Sequence, residues 1–135
     1  MKLNLPIKSL FDHISSLAKN QSNSVALLGS DKEGKIEQKI TYRQLKNRIE
    51  TTAFWLGKIG LKSGDVVAIA MPSSPEFLIL SWTCWSIGIV TVPLDTKRDR
   101  IDQHKYKLDI AKAKIVVAKN GIFSTETKCK FPNIK

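Results

Sequence analysis

Residues 66–95, VVAIAMPSSPEFLILSWTCWSIGIVTVPLD, decide the fold. Val66 to Met71 is a short apolar run rich in β-branched residues, stopped by Pro72, which predicts a strand covered on both faces. Ser73 or Ser74 then caps a helix. Pro75 suits its first turn, where a missing N–H costs nothing, and Glu76 sets a carboxylate near the positive end of the helix dipole. The helix body, Phe77 to Ile87, is apolar nearly all round, which predicts burial on every side. Gly88 releases the chain, and Ile89 to Val92 is again β-branched before Pro93. The stretch reads as a βαβ unit.

Upstream, Ser9 with Asp12 three residues later has the form of a capping box, and Leu10, Phe11, Ile14, Leu17 and Ala18 share one helical face. The first helix therefore runs to about Lys19, with His13 off its apolar stripe and on the surface. Val25 to Gly29 and the alternating KIEQKI segment, with Ile36, Gln38 and Ile40 on one side, predict a hairpin with one wet face. Thr41 and Gln44 repeat the capping-box pattern ahead of a long helix whose stripe is Leu45, Ile49, Ala53 and Leu56, with Trp55 and Ile59 beside it and Gly60 at its exit.

Downstream of Asp95, a further amphipathic helix places Ile101, His104, Lys105 and Leu108 on one side, His104 as a boundary residue whose ring covers apolar surface. Ile115 to Ala118 is a strand and Asn120-Gly121 a turn signal, after which FSTETKCKFPNIK shows no period. The fold class is α/β: a mostly parallel sheet flanked by helices, with a small hairpin towards the amino terminus.

Composition narrows the function classes. The chain has 135 residues, 42% of them hydrophobic, enough for one core or for part of a larger domain. Cys84 and Cys129 form no metal-binding pair; Cys84 reads as a small buried side chain, and a reducing, cytoplasmic setting is expected. The amino terminus lacks the apolar core and small-residue cleavage site of a signal peptide. Phe77 to Leu94 carries no charge, but Gly88, Pro93 and the flanking β-branched runs argue for a buried helix and strand rather than a membrane span. The formal net charge is +10, and half of the 22 Lys and Arg lie after Asp95. There they alternate with acids, as on a solvated helix face, with no nucleic-acid-binding motif beside them; nucleic acid is the weakest of the partner readings. The three tryptophans read as core rather than as a stacking platform.

Taken in order, these pieces resemble the amino-terminal part of the adenylate-forming acyl-CoA synthetases, the AMP-dependent synthetase and ligase family. Thr41-Tyr42 with Leu45 is similar to the family's Thr-Tyr-x-x-Leu helix start, and Gly60 with Gly64-Asp65 to its Gly-x-x-x-Gly-Asp turn. Pro72, Ser74, Pro75, Glu76 and Phe77 resemble the Pro-Asn-Ser-Pro-Glu-Phe turn, Ser73 replacing the usual Asn; Gly88 and Pro93-Leu94-Asp95 resemble the glycine and Pro-Leu-Asn/Asp that follow. RIDQHKYKLDIAKAKIVVA is similar to the next family helix and strand. The likeness spans about Leu10 to Asn120.

The resemblance implies a parent activity in two steps. A carboxylate attacks the α-phosphate of Mg-ATP, giving an acyl-adenylate and pyrophosphate; a thiol of coenzyme A or phosphopantetheine then displaces AMP. Such chemistry needs a phosphate loop, an acid for Mg²⁺ and a lysine at the α-phosphate. In the family these lie downstream of the matching part, so no catalytic, cofactor-binding or metal residue is assigned in this chain. The Pro72-Ser73-Ser74 turn has the placement of an anion site, at a strand's carboxyl end and a helix's amino end, but capping accounts for both serines. Residues 1–135 are thus expected to form a single, incomplete amino-terminal subdomain of a carboxylate-activating ligase, inactive alone, whose partner is the remainder of the synthetase in cis or in trans. The rival readings are a stand-alone assembly module of the same fold and, more weakly, a basic nucleic-acid-binding domain.

Overall fold

The computed structural model describes residues 9–119; the Asn120-Gly121 turn, Cys129 and the carboxy-terminal FSTETKCKFPNIK lie outside the described residues. Within them the order is α1 (Leu10–Asn20), β1 (Val25–Ser30), β2 (Ile36–Thr41), α2 (Tyr42–Lys58), β3 (Val66–Ala70), α3 (Pro75–Ser86), β4 (Val90–Pro93), α4 (Ile101–Ala111) and β5 (Ile115–Ala118). Both capping boxes form. Ser9 Oγ accepts from the Asp12 N–H at 3.1 Å while Asp12 accepts from the Ser9 N–H, and Thr41 and Gln44 do the same for α2.

β1 and β2 make an antiparallel hairpin, and β4, β3 and β5 make a separate parallel sheet in that order. The register pairs Val67 with Thr91 on one side of β3 and with Ile115 on the other. β3 is the central strand, and alternation sends its side chains to two cores. Val67 and Ile69 pack with Leu56, Leu80, Cys84 and Ile89 on the α2–α3 side; Ala68 and Ala70 pack with Leu94, Leu108 and Ala113 on the α4 side. Helices thus cover both faces, as a parallel sheet requires. A third core, Ile14, Ile40, Leu45, Ile49 and Ile79, joins α1, α2, α3 and the hairpin.

Two expectations about apolar side chains fail. α3 is not buried all round: Leu78 and Trp85 are exposed, while Ile79, Leu80, Thr83 and Cys84 are buried against the sheet, α2 and the α1–hairpin cluster. Trp55 and Ile59, expected beside the α2 stripe, are each 61% exposed, because α2 buries only Leu45, Ile49 and Leu56. Trp82 alone of the three tryptophans packs against a core. Ile36, at the end of the hairpin, is likewise exposed.

The helix-to-strand turns at the amino-terminal ends of β3, β4 and β5 are tied to one another. The Gly64 N–H donates to Gly88 O at 2.9 Å, the Val90 N–H to Asp65 O at 2.9 Å and the Lys114 N–H to Val66 O at 2.8 Å. Gly88 sits at φ +75°, and a Cβ there would lie 2.3 Å from Ser63 Oγ. Lys114 Nζ reaches Asp65 Oδ2 at 2.8 Å, and that hydrogen bond, with the Lys62 N–H as second donor, holds the Asp65 carboxyl below its ordinary value.

Gly88→Ala is expected to destabilise the chain by about 1–3 kcal/mol through backbone strain and the Ser63 contact. Urea denaturation should show part of this returned by Ser63→Gly in the double variant; strictly additive effects would contradict the contact. Because the folded Asp65 pKa is depressed, its contribution is fully present above the ordinary carboxylate range and is lost as pH falls through the lowered value. The stability gap between the chain and Asp65→Asn should therefore be flat from neutrality to about pH 5 and close below about pH 4.

Candidate functional site

In open α/β sheets, ligands gather at the carboxyl ends of the strands. Here that pole is built by the turn from Met71 to Ser74 after β3 and the loop from Leu94 to Arg100 after β4. The sequence left the cap of α3 open between Ser73 and Ser74; Ser74 is the cap, its Oγ accepting from the Phe77 N–H at 3.2 Å, while Ser73 is exposed. As an anion site this terminus is poor. Pro75 brings no N–H, the Phe77 N–H is taken by Ser74 Oγ, the Leu78 N–H by Ser74 O, and Glu76 adds negative charge.

The loop after β4 is held by a polar cluster that the sequence reading missed. Asp95 Oδ1 accepts from the N–H groups of Lys97 and Arg98, both at 3.0 Å, and Arg98 Nε donates to Asp95 Oδ2 at 2.8 Å. Asp99 Oδ2 accepts from the Asp95 N–H at 3.2 Å and from Lys107 Nζ. His104 is only 6% exposed; its Nε2 lies 3.2 Å from Asp95 O and 3.7 Å from Asp99 Oδ2. The ring therefore serves polar partners rather than merely covering apolar surface. Both carboxyls are held below their ordinary range, Asp99 chiefly by Lys107 and Asp95 by the Lys97 and Arg98 amides. The signal was present as Asp95, Asp99, His104 and Lys107, but their convergence depends on how α4 folds back on the loop.

The other residues singled out are structural. Cys84 is fully buried, and burial pushes its thiol up to about 11, so it is no nucleophile. His13 is exposed. Much of the basic last third is engaged in ion pairs, Arg98 with Asp95, Arg100 with Asp102, Lys105 with Asp109, Lys107 with Asp99 and Lys114 with Asp65. Between α2 and α3 runs an open groove of about 350 Å³ floored by Ile79 and Leu80, with Arg48 and Glu76 3.9 Å apart at its rim. Among the described residues there is no group of three His, Cys, Asp or Glu placed to hold a metal, and no helix long and apolar enough to cross a membrane.

The comparisons turn this geometry into a family. The model of the AMP-binding enzyme family matches residues 15–134. This chain belongs to that family. Among curated proteins it is 33% identical over 89 residues to the acetyl-coenzyme A synthetase of Psychromonas ingrahamii, covering 66% of this chain and 13% of that protein. It is 32% identical over 133 residues to the mitochondrial acyl-coenzyme A synthetase ACSM2 of Rattus norvegicus, covering 93% of this chain and 23% of that one. The chain thus spans less than a quarter of either relative, and its match is to the amino-terminal part. Of solved structures, the amino-terminal subdomain of Klebsiella oxytoca NpsA in complex with 3-hydroxybenzoyl-AMSN superposes with a TM-score of 0.71 at 28% identity, over 82% of this chain and 26% of that one. The o-succinylbenzoate CoA synthetase of Bacillus subtilis shares the fold, with a TM-score of 0.76 at 17% identity over 91% of this chain and 30% of that one.

Ser74→Ala is expected to cost about 1 kcal/mol by loss of the α3 cap, and Ser73→Ala less than about 0.5 kcal/mol. Chemical denaturation of the two variants decides it; equal costs would mean that Ser73 shares the capping.

Proposed function

We propose that residues 1–135 form an incomplete amino-terminal subdomain of an ATP-dependent, adenylate-forming acid–thiol ligase, a cytoplasmic acyl-CoA synthetase-like enzyme. The observation that carries the reading is the family match over residues 15–134, which spans the β3–α3–β4 unit and the turns on either side of it. ATP, Mg²⁺ and a coenzyme A or phosphopantetheine thiol are the cofactors of the whole enzyme. The described residues do not fit Mg-ATP by themselves: at the α3 amino terminus Pro75 has no N–H, the Phe77 and Leu78 N–H groups are engaged and Glu76 adds negative charge, and Asp95 and Asp99 are taken up by amides, Arg98 and Lys107. No chemical step is routed through them. Their part is to hold a sheet whose carboxyl ends frame the region where the remainder of the enzyme brings its nucleotide-binding groups.

β5 supports that division of labour. Among the described residues it pairs only with β3, and its four residues, Ile115, Val116, Val117 and Ala118, are apolar and half-buried. β4, the opposite edge, ends in Pro93, which has no N–H to offer a further strand. An uncharged edge of this kind asks for another strand, and the rest of the synthetase supplies it in cis. The second reading, a stand-alone module that completes a split enzyme in trans, draws on the same edge.

The test is ATP–pyrophosphate exchange with a panel of carboxylic acids. The chain alone should give none, and exchange above background would overturn its incompleteness. A chimera in which residues 10–119 replace the matching segment of the rat relative should retain exchange within about tenfold, a loss of roughly 1.4 kcal/mol in barrier. A chimera that folds yet is inert would remove the framing role.

A further inference from the structure

At the end of the sheet away from the carboxyl pole, the three braced turns carry an unusual surface. Trp55 and Ile59, one turn apart at the end of α2, are each 61% exposed; Trp85, in the last turn of α3, is 54% exposed; Ile110, in the last turn of α4, is 66% exposed. The Trp85 ring is not loose, for its Nε1–H donates to Thr91 Oγ1 at 2.9 Å. Lysines stand among these side chains: Lys58, whose Nζ lies 5.3 Å from the Phe54 ring centre, Lys62 in the next turn, and Lys112 at the αL end of α4. Of the acids at this pole, Asp65 is paired with Lys114, and Asp109, beside Ile110, with Lys105. The pole is therefore apolar and cationic at once.

We propose that this amino-terminal pole docks on an anionic lipid surface. Indole and aliphatic side chains enter the headgroup boundary, and flexible lysine stems carry their charges to the lipid phosphates. The choice of cation favours lipid over the alternatives. Nucleic-acid and protein interfaces select arginine, whose planar fork reads phosphate and carboxylate geometry, and protein interfaces are depleted in lysine. The cations here are lysines; Arg43, Arg48, Arg98 and Arg100 belong to other parts of the chain. The turns that follow these helix ends are joined by hydrogen bonds, which fix the ends of α2 and α3 on one face of the sheet and of α4 on the other in relation to one another. Docked this way, the carboxyl ends of β3 and β4 face away from the membrane. The inference does not depend on the ligase reading.

The full 135-residue chain should be titrated with phosphatidylcholine vesicles, with and without phosphatidylserine, following flotation and tryptophan emission. The expected result is binding that needs the anionic lipid, weakens with salt and shifts emission to the blue. Trp55→Gln with Ile59→Gln, and separately Lys58→Glu with Lys62→Glu, should each lower the partition coefficient at least tenfold. Leu28→Ser, at an exposed site on the hairpin, should leave it unchanged. Equal binding to neutral vesicles, or an equal loss from the hairpin variant, would mean general apolar adhesion and would overturn the proposal. So would retention of binding in the two pole variants, or tighter binding to single-stranded nucleic acid than to the anionic vesicles.

Discussion

Everything in this chain follows from burying β3 on both faces. Val67, Ala68, Ile69 and Ala70 are between 0% and 1% exposed, so neither face of the strand can be left to solvent. A single helix covers one face only, and the crossovers on either side of a parallel strand keep one hand. β4 and β5 flank β3 on opposite sides, so α3 and α4 must lie on opposite faces. The side chains of β3 are sized to this arrangement. Val67 and Ile69 meet the larger α2–α3 layer, while Ala68 and Ala70 let α4 approach closely through Leu108.

α3 is the second constraint, because it belongs to two cores. Leu80 and Cys84 face the sheet, whereas Ile79 enters the cluster formed by Ile14, Ile40, Leu45 and Ile49. The hairpin and α1 are thereby attached to the sheet through α3, together with α2, whose Leu45 and Ile49 enter the same cluster while Leu56 faces the sheet, rather than by strand pairing. The approach is close: a Cβ on Gly29 of β1 would lie 3.1 Å from Pro75 Cγ at the start of α3. The cap that orients α3 also sets where the hairpin rests, which links the Ser74–Phe77 hydrogen bond to packing well beyond its own turn.

What could be read in advance was local. The capping boxes at Ser9 and Thr41, the βαβ unit and the Ile115–Ala118 strand depend on residues within a few positions of one another, and all appear as expected. What escaped was relational. An apolar helix such as α3 says that it can be covered all round, not which neighbours come, and Trp85 stays exposed because nothing described packs on that side. A charge pattern read as a solvated face hides pairs that close only in three dimensions, such as Lys107 with Asp99 and Lys114 with Asp65, the latter 49 positions apart. The site was illegible for the same reason: a family motif names residue types, and whether Ser74 binds a ligand or caps its helix is settled by where the Phe77 N–H points.

The two ends of the sheet have been given different work. At the amino-terminal end, turn is bonded to turn: Gly64 to Gly88, Asp65 to Val90 and Lys114. At the carboxyl end the side-chain bonds stay within a connection and the helix that follows it, Ser74 with the start of α3 and Asp95 and Asp99 with Arg98, His104 and Lys107, and the strand ends are joined by the Leu94 N–H to Ile69 O at 2.9 Å and the Lys119 N–H to Ala70 O at 3.3 Å. The framing role proposed above would use that division: side chains in the connections at the carboxyl pole meet what lies beyond the sheet, while the turn-to-turn bonds of the opposite pole keep the strand ends in register.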